Sequence, residues 1–471
     1  MSEPREGALR EGGWPRRAGV ARGASSLAEP GIAKLIASLL PQLPSFLDRQ
    51  AWAARPAGDT TVPAVGDTGT EPLGVRDVQV LVPGRPGALA LSVEREGVIY
   101  QVVLGLRNPG RGVIRAVGGA GDAVLGVVED SLGEAVAYDA LVDPGLCVQI
   151  LKVVCDAELL VSRGLDLLGD QRGTKKRINV RVARARHSST IVFDEKVMLK
   201  IYHRLSGGPN HDAEMILALD NAGFNHIAAP VAVWAIDGVD RGMVQECTGC
   251  GTEGRALAVT SLRDLYTSKC APGVAGGDFA SESERLGIMT ARMHLALASA
   301  FGSSEGKPEE WASFIESSLL RRSPRVARRR KVAELLDRLK AMEHPGDAIR
   351  VHGDYHLGNV VRSEVGWFVA DFEQLDTTEG LERPSGATSA LTSSPILDIA
   401  TMLRSFAGVA RTAGDEHDPN NWAVLAPFAR AWRERNSRAF LAGYMSTSGV
   451  ERLLPGERNG IRLILRAMAL G

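Results

Sequence analysis

Val351-His352-Gly353-Asp354-Tyr355-His356-Leu357-Gly358-Asn359-Val360, with Asp371-Phe372-Glu373 close behind, decides how this chain reads. The stretch spaces an aspartate, an asparagine five residues on and a second aspartate seventeen residues on. Phosphoryl transfer calls for these side chains: one carboxylate orients an attacking hydroxyl, and hard oxygen ligands hold magnesium on the phosphates. Each polar residue alone reads as a turn or a cap. Together, with Trp367-Phe368-Val369-Ala370 as a strand leading into Asp371, they read as a catalytic centre. Asp354 is the expected catalytic group, and Asn359 and Asp371 are the expected magnesium ligands. His352 and His356 flank the aspartate and read as hydrogen-bonded braces of its loop.

Protein kinases carry a related His-Arg-Asp-x-x-x-x-Asn and a later Asp-Phe-Gly. Here Gly353 replaces the arginine and His356 is added, a variant that resembles the aminoglycoside phosphotransferase superfamily. Upstream, Lys200 ends the strand-like Val197-Met198-Leu199-Lys200, where a lysine meets the α- and β-phosphates of a nucleotide. Glu214, fourteen residues later on an expected helix, is the acid assigned to hold it. Ser188, Ser189 and Thr190 read as a turn before the Lys200 hairpin, with hydroxyls and backbone N–H groups for the phosphates. Gln245, Glu246 and Cys247 stand where an interlobe hinge offers backbone groups to adenine.

Bulk properties exclude several classes. Fifty-five basic and 56 acidic side chains leave a formal charge of −1, so nothing global favours a nucleic-acid or anionic-membrane partner. The basic cluster Arg321–Lys331 lacks interleaved aromatics and reads as a solvated helix face. No apolar run reaches the roughly 18 residues of a membrane span, and Arg16-Arg17 precedes no apolar export segment. Five scattered cysteines build no disulfide framework, and Cys247-Thr248-Gly249-Cys250 is half a zinc site without its other half. The expectation is a reduced, cytoplasmic protein.

Composition divides the chain into four parts. Residues 1–30 read as a disordered lead-in. Residues 31–161 read as a mostly β domain, with a helix at Ile32–Leu40, strand composition at Asp77–Pro83 and Ala88–Leu104, and an apolar run at Val124–Val128. Residues 177–250 carry the strands, helix and further strands of a kinase small lobe. Residues 251–471 are mainly helical, with apolar spacing of three and four at Leu286, Met289, Met293 and Leu297, and short strands around the catalytic run. The fold class is α+β: a protein-kinase-like bilobal fold with a mixed β small lobe, a helical large lobe and an N-terminal mostly β cap.

Further stretches narrow the resemblance to bacterial maltokinases and, less closely, to glucosamine kinases. They are Leu40-Pro41-Gln42-Leu43-Pro44 with Arg49-Gln50-Ala51-Trp52, Tyr138-Asp139-Ala140-Leu141-Val142-Asp143-Pro144, Leu199–Leu205, and Ser394-Pro395-Ile396-Leu397-Asp398-Ile399-Ala400 continuing to Phe406. The resemblance implies a cap domain on a bilobal kinase that uses ATP and Mg2+ to make maltose 1-phosphate. It implies that Glu373 assists the metal and that Asp398 and Arg404 organise the active-site wall. Two departures stand out: Asn359 replaces the family's glutamine, and Gln374-Leu375-Asp376 replaces its Gly-Glu-Pro. An aminosugar or aminoglycoside acceptor is the alternative, with Asp376, Glu379 and Glu382 available to an amine. A catalytically weak binding protein is the third. The expected partner is a small sugar or aminosugar.

Overall fold

The structure is a computed structural model and describes residues 17–19, 29–50, 52–53, 73–110, 112–113, 121–165, 178–185, 187–247, 251–372, 392–456 and 459–470. Two units divide the chain: Met1–Ala213 with Ala229–Cys247, and Glu214–Ala228 with Thr248–Gly471.

The first unit opens with β1 (Arg17–Gly19), within the segment read as a disordered lead-in; it pairs in parallel with a later strand. A five-stranded antiparallel sheet follows, built from β2 (Gly74–Val82), β3 (Gly87–Arg95), β4 (Val98–Arg107), β5 (Val124–Asp130) and β6 (Gly133–Asp139) in the order β2-β3-β4-β6-β5. Ala88–Leu104, read as one strand-like run, is broken by a tight turn at Glu96-Gly97. Both residues have positive φ, the conformation that matches the twist of a two-residue hairpin. Side chains alternate across the sheet. On one face Leu89, Leu91, Val93 and Val102 pack with Leu39, Leu43 and Phe46 from the helices Pro30–Leu39 and Leu43–Asp48.

The other face belongs to a second core. Ala88, Ala90, Val103 and Tyr138 join Ile150 and Leu151 of the helix Pro144–Val154. The same core takes in Ile191, Phe193, Leu199 and Trp234 from a second sheet. That sheet contains β7 (Val180–Arg184), β8 (Ser188–Phe193), β9 (Val197–Tyr202), β11 (Pro230–Ile236) and β12 (Val239–Glu246), ordered β1-β11-β12-β9-β8-β7, while the short β10 (Arg204–Leu205) pairs with β4. The segments read as cap and small lobe therefore share one continuous core. With a core on each face of the first sheet, its strands β3 and β4 are buried almost throughout.

The second unit is helical. The helices Ala280–Phe301 and Trp422–Met445 cross at Gly287 and Gly443; a Cβ on Gly287 would overlap the Phe440 carbonyl, and one on Gly443 the Glu284 carbonyl. Phe279, Phe406, Trp432 and Phe440 form an aromatic cluster beside this crossing. Gly287→Ala should destabilise the protein by about 1–3 kcal/mol through overpacking, seen as a lower midpoint in urea denaturation; an unchanged midpoint would refute the close crossing. Short strands β13 (Thr252–Glu253), β14 (Ser303–Glu305), β15 (Asp347–Arg350), β16 (Val360–Ser363), β17 (Gly366–Val369) and β18 (Thr392–Ser393) form two small sheets, β13-β16-β17 and β14-β15-β18. The strand leading into Val351–Val360 is thus in a different sheet from the hairpin that follows it. No helix among the described residues is long and apolar enough to cross a membrane.

Candidate active site

β15 delivers Val351 and His352 into the second unit's interior, and Gly353 turns the chain with φ at +86°. The largely buried Asp354 follows. Leu357–Asn359 then form a single tight helical turn, capped by His356, whose Nδ1 accepts the Gly358 N–H at 3.0 Å. Asn359 donates Nδ2–H to the Asp354 carbonyl at 2.9 Å, which leaves its amide oxygen for another partner. β16 and β17 pair Val360 with Val369, and the Ala370 N–H reaches the Asn359 carbonyl at 2.9 Å. Asp371 therefore leaves the hairpin at the end where Asn359 enters it. Phe372 stacks on His352 with ring centroids 4.8 Å apart, fastening the two loops together. Glu373 lies outside the described residues.

The electrostatics place both carboxylates in one locale. His356 Nε2 is 3.5 Å from Asp354 Oδ2, and this hydrogen bond raises the imidazole above its ordinary value against the opposing effect of burial; the charges of Asp354, Asp371 and Glu253 add to the rise. The Gly358 N–H on Nδ1 resists a second proton, so the neutral ring keeps its hydrogen on Nε2, toward Asp354. Burial drives His352 below the usual imidazole range despite the pull of Asp398, Asp371 and Asp354.

Behind the loop lies the fully buried Asp398, in the first turn of the helix Ile396–His417. Its Oδ2 and Oδ1 accept the His352 and Gly353 N–H groups, each at 2.9 Å, and His294 Nε2 stands 3.1 Å from Oδ2. Burial would push this carboxyl up. The His294 hydrogen bond, the charges of His294 and His352 and the Gly353 N–H overcome it and hold Asp398 below the usual range. His294 is fixed in turn by the Tyr444 hydroxyl, 2.9 Å from Nδ1. His294 and Tyr444 escaped the sequence reading. The available signal was a histidine at the apolar spacing of a helix, which reads more simply as core.

In the first unit, Lys200 Nζ lies 3.1 Å from Asp212 Oδ2, and Tyr202 donates its hydroxyl to the same oxygen at 3.1 Å. The sequence reading named Glu214 and missed Asp212, which enters the helix His211–Asn221 two residues earlier. Glu214 accepts a 2.6 Å hydrogen bond from Arg350, at the end of β15. Ser188, Ser189 and Thr190, read as a turn, lie in β8 with β7 on one side and β9 on the other. That placement is a correction with a plain cause. Ser188 and Ser189 are buried, and Ser189 Oγ lies 2.8 Å from His203 Nε2, so sheet pairing and a side-chain bond hold them in the strand. Gln245 and Glu246 end β12, and the N–H groups of Glu246 and Cys247 are spent on the Ala229 and Lys196 carbonyls. The chain leaves the first unit at Cys247.

Beside the Asp354 loop, the second unit opens a cleft of about 680 Å³ whose walls include His356, Glu253, Arg255, Thr401 and Arg404. Among the described residues, no three His, Cys, Asp or Glu side chains converge to hold a metal ion.

A β-rich part and a helical part, with strand-borne Lys200 in one and the Asp354 loop in the other, define a kinase-like α+β fold. Residues 266–379 match the family model described as Phosphotransferase enzyme family, APH. A glucosamine kinase structure aligns with a TM-score of 0.53 at 20% identity, covering 94% of this chain and 92% of that one. Glucosamine kinase in complex with glucosamine, ADP and inorganic phosphate aligns with a TM-score of 0.52 at 20% identity, covering 88% and 91%. Similarity at this level establishes the fold.

Proposed function

We propose that the protein is an ATP-dependent kinase that transfers a phosphoryl group to a hydroxyl of a sugar, with maltose as the acceptor the sequence resemblance favours. Asp354 orients the acceptor hydroxyl and receives its proton, with His356 holding the carboxylate. Lys200, kept in place by Asp212, serves the nucleotide phosphates. Residues 31–161 act as the cap, 177–250 as the small lobe and 251–471 as the large lobe. The observation that carries this reading is the joining of the Asp354 and Asp371 loops by the hairpin and the His352–Phe372 stack.

The donor set fits magnesium. Asn359 commits its amide nitrogen to Asp354, leaving the hard oxygen a cation of this kind takes, and Asp371 supplies a carboxylate beside it. Glu373 is the third ligand in this proposal. Bound there, the ion would neutralise charge developing on the phosphates.

A glucosamine acceptor is the second reading, motivated by the fold likeness to glucosamine kinase across 94% of the chain. A coupled ADP-release assay with maltose, glucosamine, glucose and kanamycin separates the two. Turnover with maltose and not with the amines is expected; turnover confined to amine-bearing acceptors would replace the first reading with the second. Silence with all four would sink both.

A further inference from the structure

The phenol that meets Asp212 gives the lysine pair a second holder, a point that rests on the kinase reading above. Lys200 and Tyr202 stand two residues apart on β9, so both side chains leave the same face of the strand. Lys200, Tyr202 and Asp212 are all buried. Ammonium and phenol converge on one atom, Asp212 Oδ2, each at 3.1 Å. The ammonium also lies 6.0 Å from the centre of the Tyr202 ring, at the reach of its electron-rich face. Tyr202 thus touches both members of the pair. An oxygen that already accepts the phenol proton grips an ammonium less than one that serves it alone. Lys200 is therefore held in place yet able to turn its charge toward incoming phosphates.

Both holders are themselves fixed. Gln101, on β4 of the other sheet, donates Nε2–H to the Tyr202 carbonyl at 3.2 Å and to the Arg241 carbonyl at 2.8 Å. Asp212 is placed through its backbone as well. Its N–H reaches Asn210 Oδ1 at 2.9 Å, and the Asn210 N–H reaches Asp240 Oδ2 at 2.9 Å. Asn210 therefore caps the helix His211–Asn221 and sets where it starts. A slip of one residue would swing the carboxylate about 100° round the helix axis, away from the lysine.

We infer that Tyr202 and Asn210 are positioning residues for the Lys200 ammonium, one acting through the Asp212 side chain and the other through its backbone. What they set is affinity for the phosphates of a nucleotide. Tyr202→Phe keeps the ring and removes the hydroxyl. It should weaken ATP binding by about tenfold, the scale of one hydrogen bond to a charged group, and leave adenosine binding unchanged. Asn210→Ala should weaken ATP binding with the same selectivity, and Asn210→Ser, an equally good cap, should restore it. Neither Tyr202→Phe nor Asn210→Ala should add to the loss caused by Lys200→Met, because the ammonium through which both act is then gone.

Isothermal titration calorimetry of the whole chain with adenosine, and with ATP and magnesium, reads each of these outcomes. Undiminished ATP binding by Asn210→Ala, or by a folded Tyr202→Phe, overturns the inference. So does a parallel loss of adenosine binding, a further loss on top of Lys200→Met, or no rescue by Asn210→Ser. Asn210 is half-buried, so its two variants decide the matter should Tyr202→Phe not fold. Lys200→Met judges the kinase reading separately. Parent-like ATP affinity in that variant would take the lysine from the phosphates and overturn both; a loss there with none in Tyr202→Phe removes the inference alone.

Discussion

Asp354→Ala should lower kcat for acceptor phosphorylation by about 10²–10⁴-fold, the range for a positioned proton-accepting group, while ATP affinity stays within a factor of a few. The asymmetry follows from the geometry. The Asp354 backbone braces the loop: its N–H meets His352 and its carbonyl takes Asn359, and both bonds survive the substitution. What disappears is the carboxylate that His356 steadies. Stopped-flow nucleotide binding beside steady-state ADP release would separate the two effects. A variant that kept near-normal kcat would remove Asp354 from the chemistry.

Asp398→Ala should destabilise the second unit by about 3–5 kcal/mol, as removal of one member of a buried charged network does. It leaves the buried His352 N–H and the half-buried Gly353 N–H without their acceptor and removes the carboxylate bonded to His294 Nε2. Asp398→Asn should not rescue it, because one amide oxygen cannot receive donors that now converge on two, and its NH₂ would oppose one of them. The pH dependence has a definite sign. A carboxyl held below its ordinary value in the fold contributes stability that is fully present above the usual carboxylate range. That contribution fades as pH falls through the range toward the depressed folded value. Urea denaturation across pH 3–7 should therefore show a shallower acid limb for Asp398→Ala than for the parent protein. Parallel acid limbs would show that the carboxylate is not ionised by the network described.

Much of this centre was legible because it is local. The five-residue gap from Asp354 to Asn359 is one loop and one tight turn, and the interval from Asn359 to Asp371 is one hairpin, so sequence spacing fixed the geometry directly. The strand ends that meet at Asp194-Glu195 were legible too, since aspartate tolerates the positive φ this tight turn demands. What stayed hidden is what the chain brings from far away. His294 reaches Asp398 across 104 residues and Tyr444 reaches His294 across 150, and nothing in either neighbourhood marks a polar role. Asp212 went unnoticed because strand-to-helix geometry, not residue type, decides which acids of a helix reach a strand lysine. Ser188 and Ser189 read as a turn because serine favours turns; burial in a six-stranded sheet overrode that preference. The shared core of cap and small lobe was equally invisible, since apolar strand faces do not name the sheet they pack against.

The most direct measurement of the central claim is transfer of label from [γ-³²P]ATP to maltose, comparing the parent protein with Asp354→Asn and Asp371→Asn. Expected are a labelled sugar phosphate from the parent that is stable to separation from ATP, loss of the product with Asp354→Asn despite retained nucleotide binding, and loss of magnesium-dependent nucleotide binding with Asp371→Asn. Labelled product formed equally by all three proteins would contradict it.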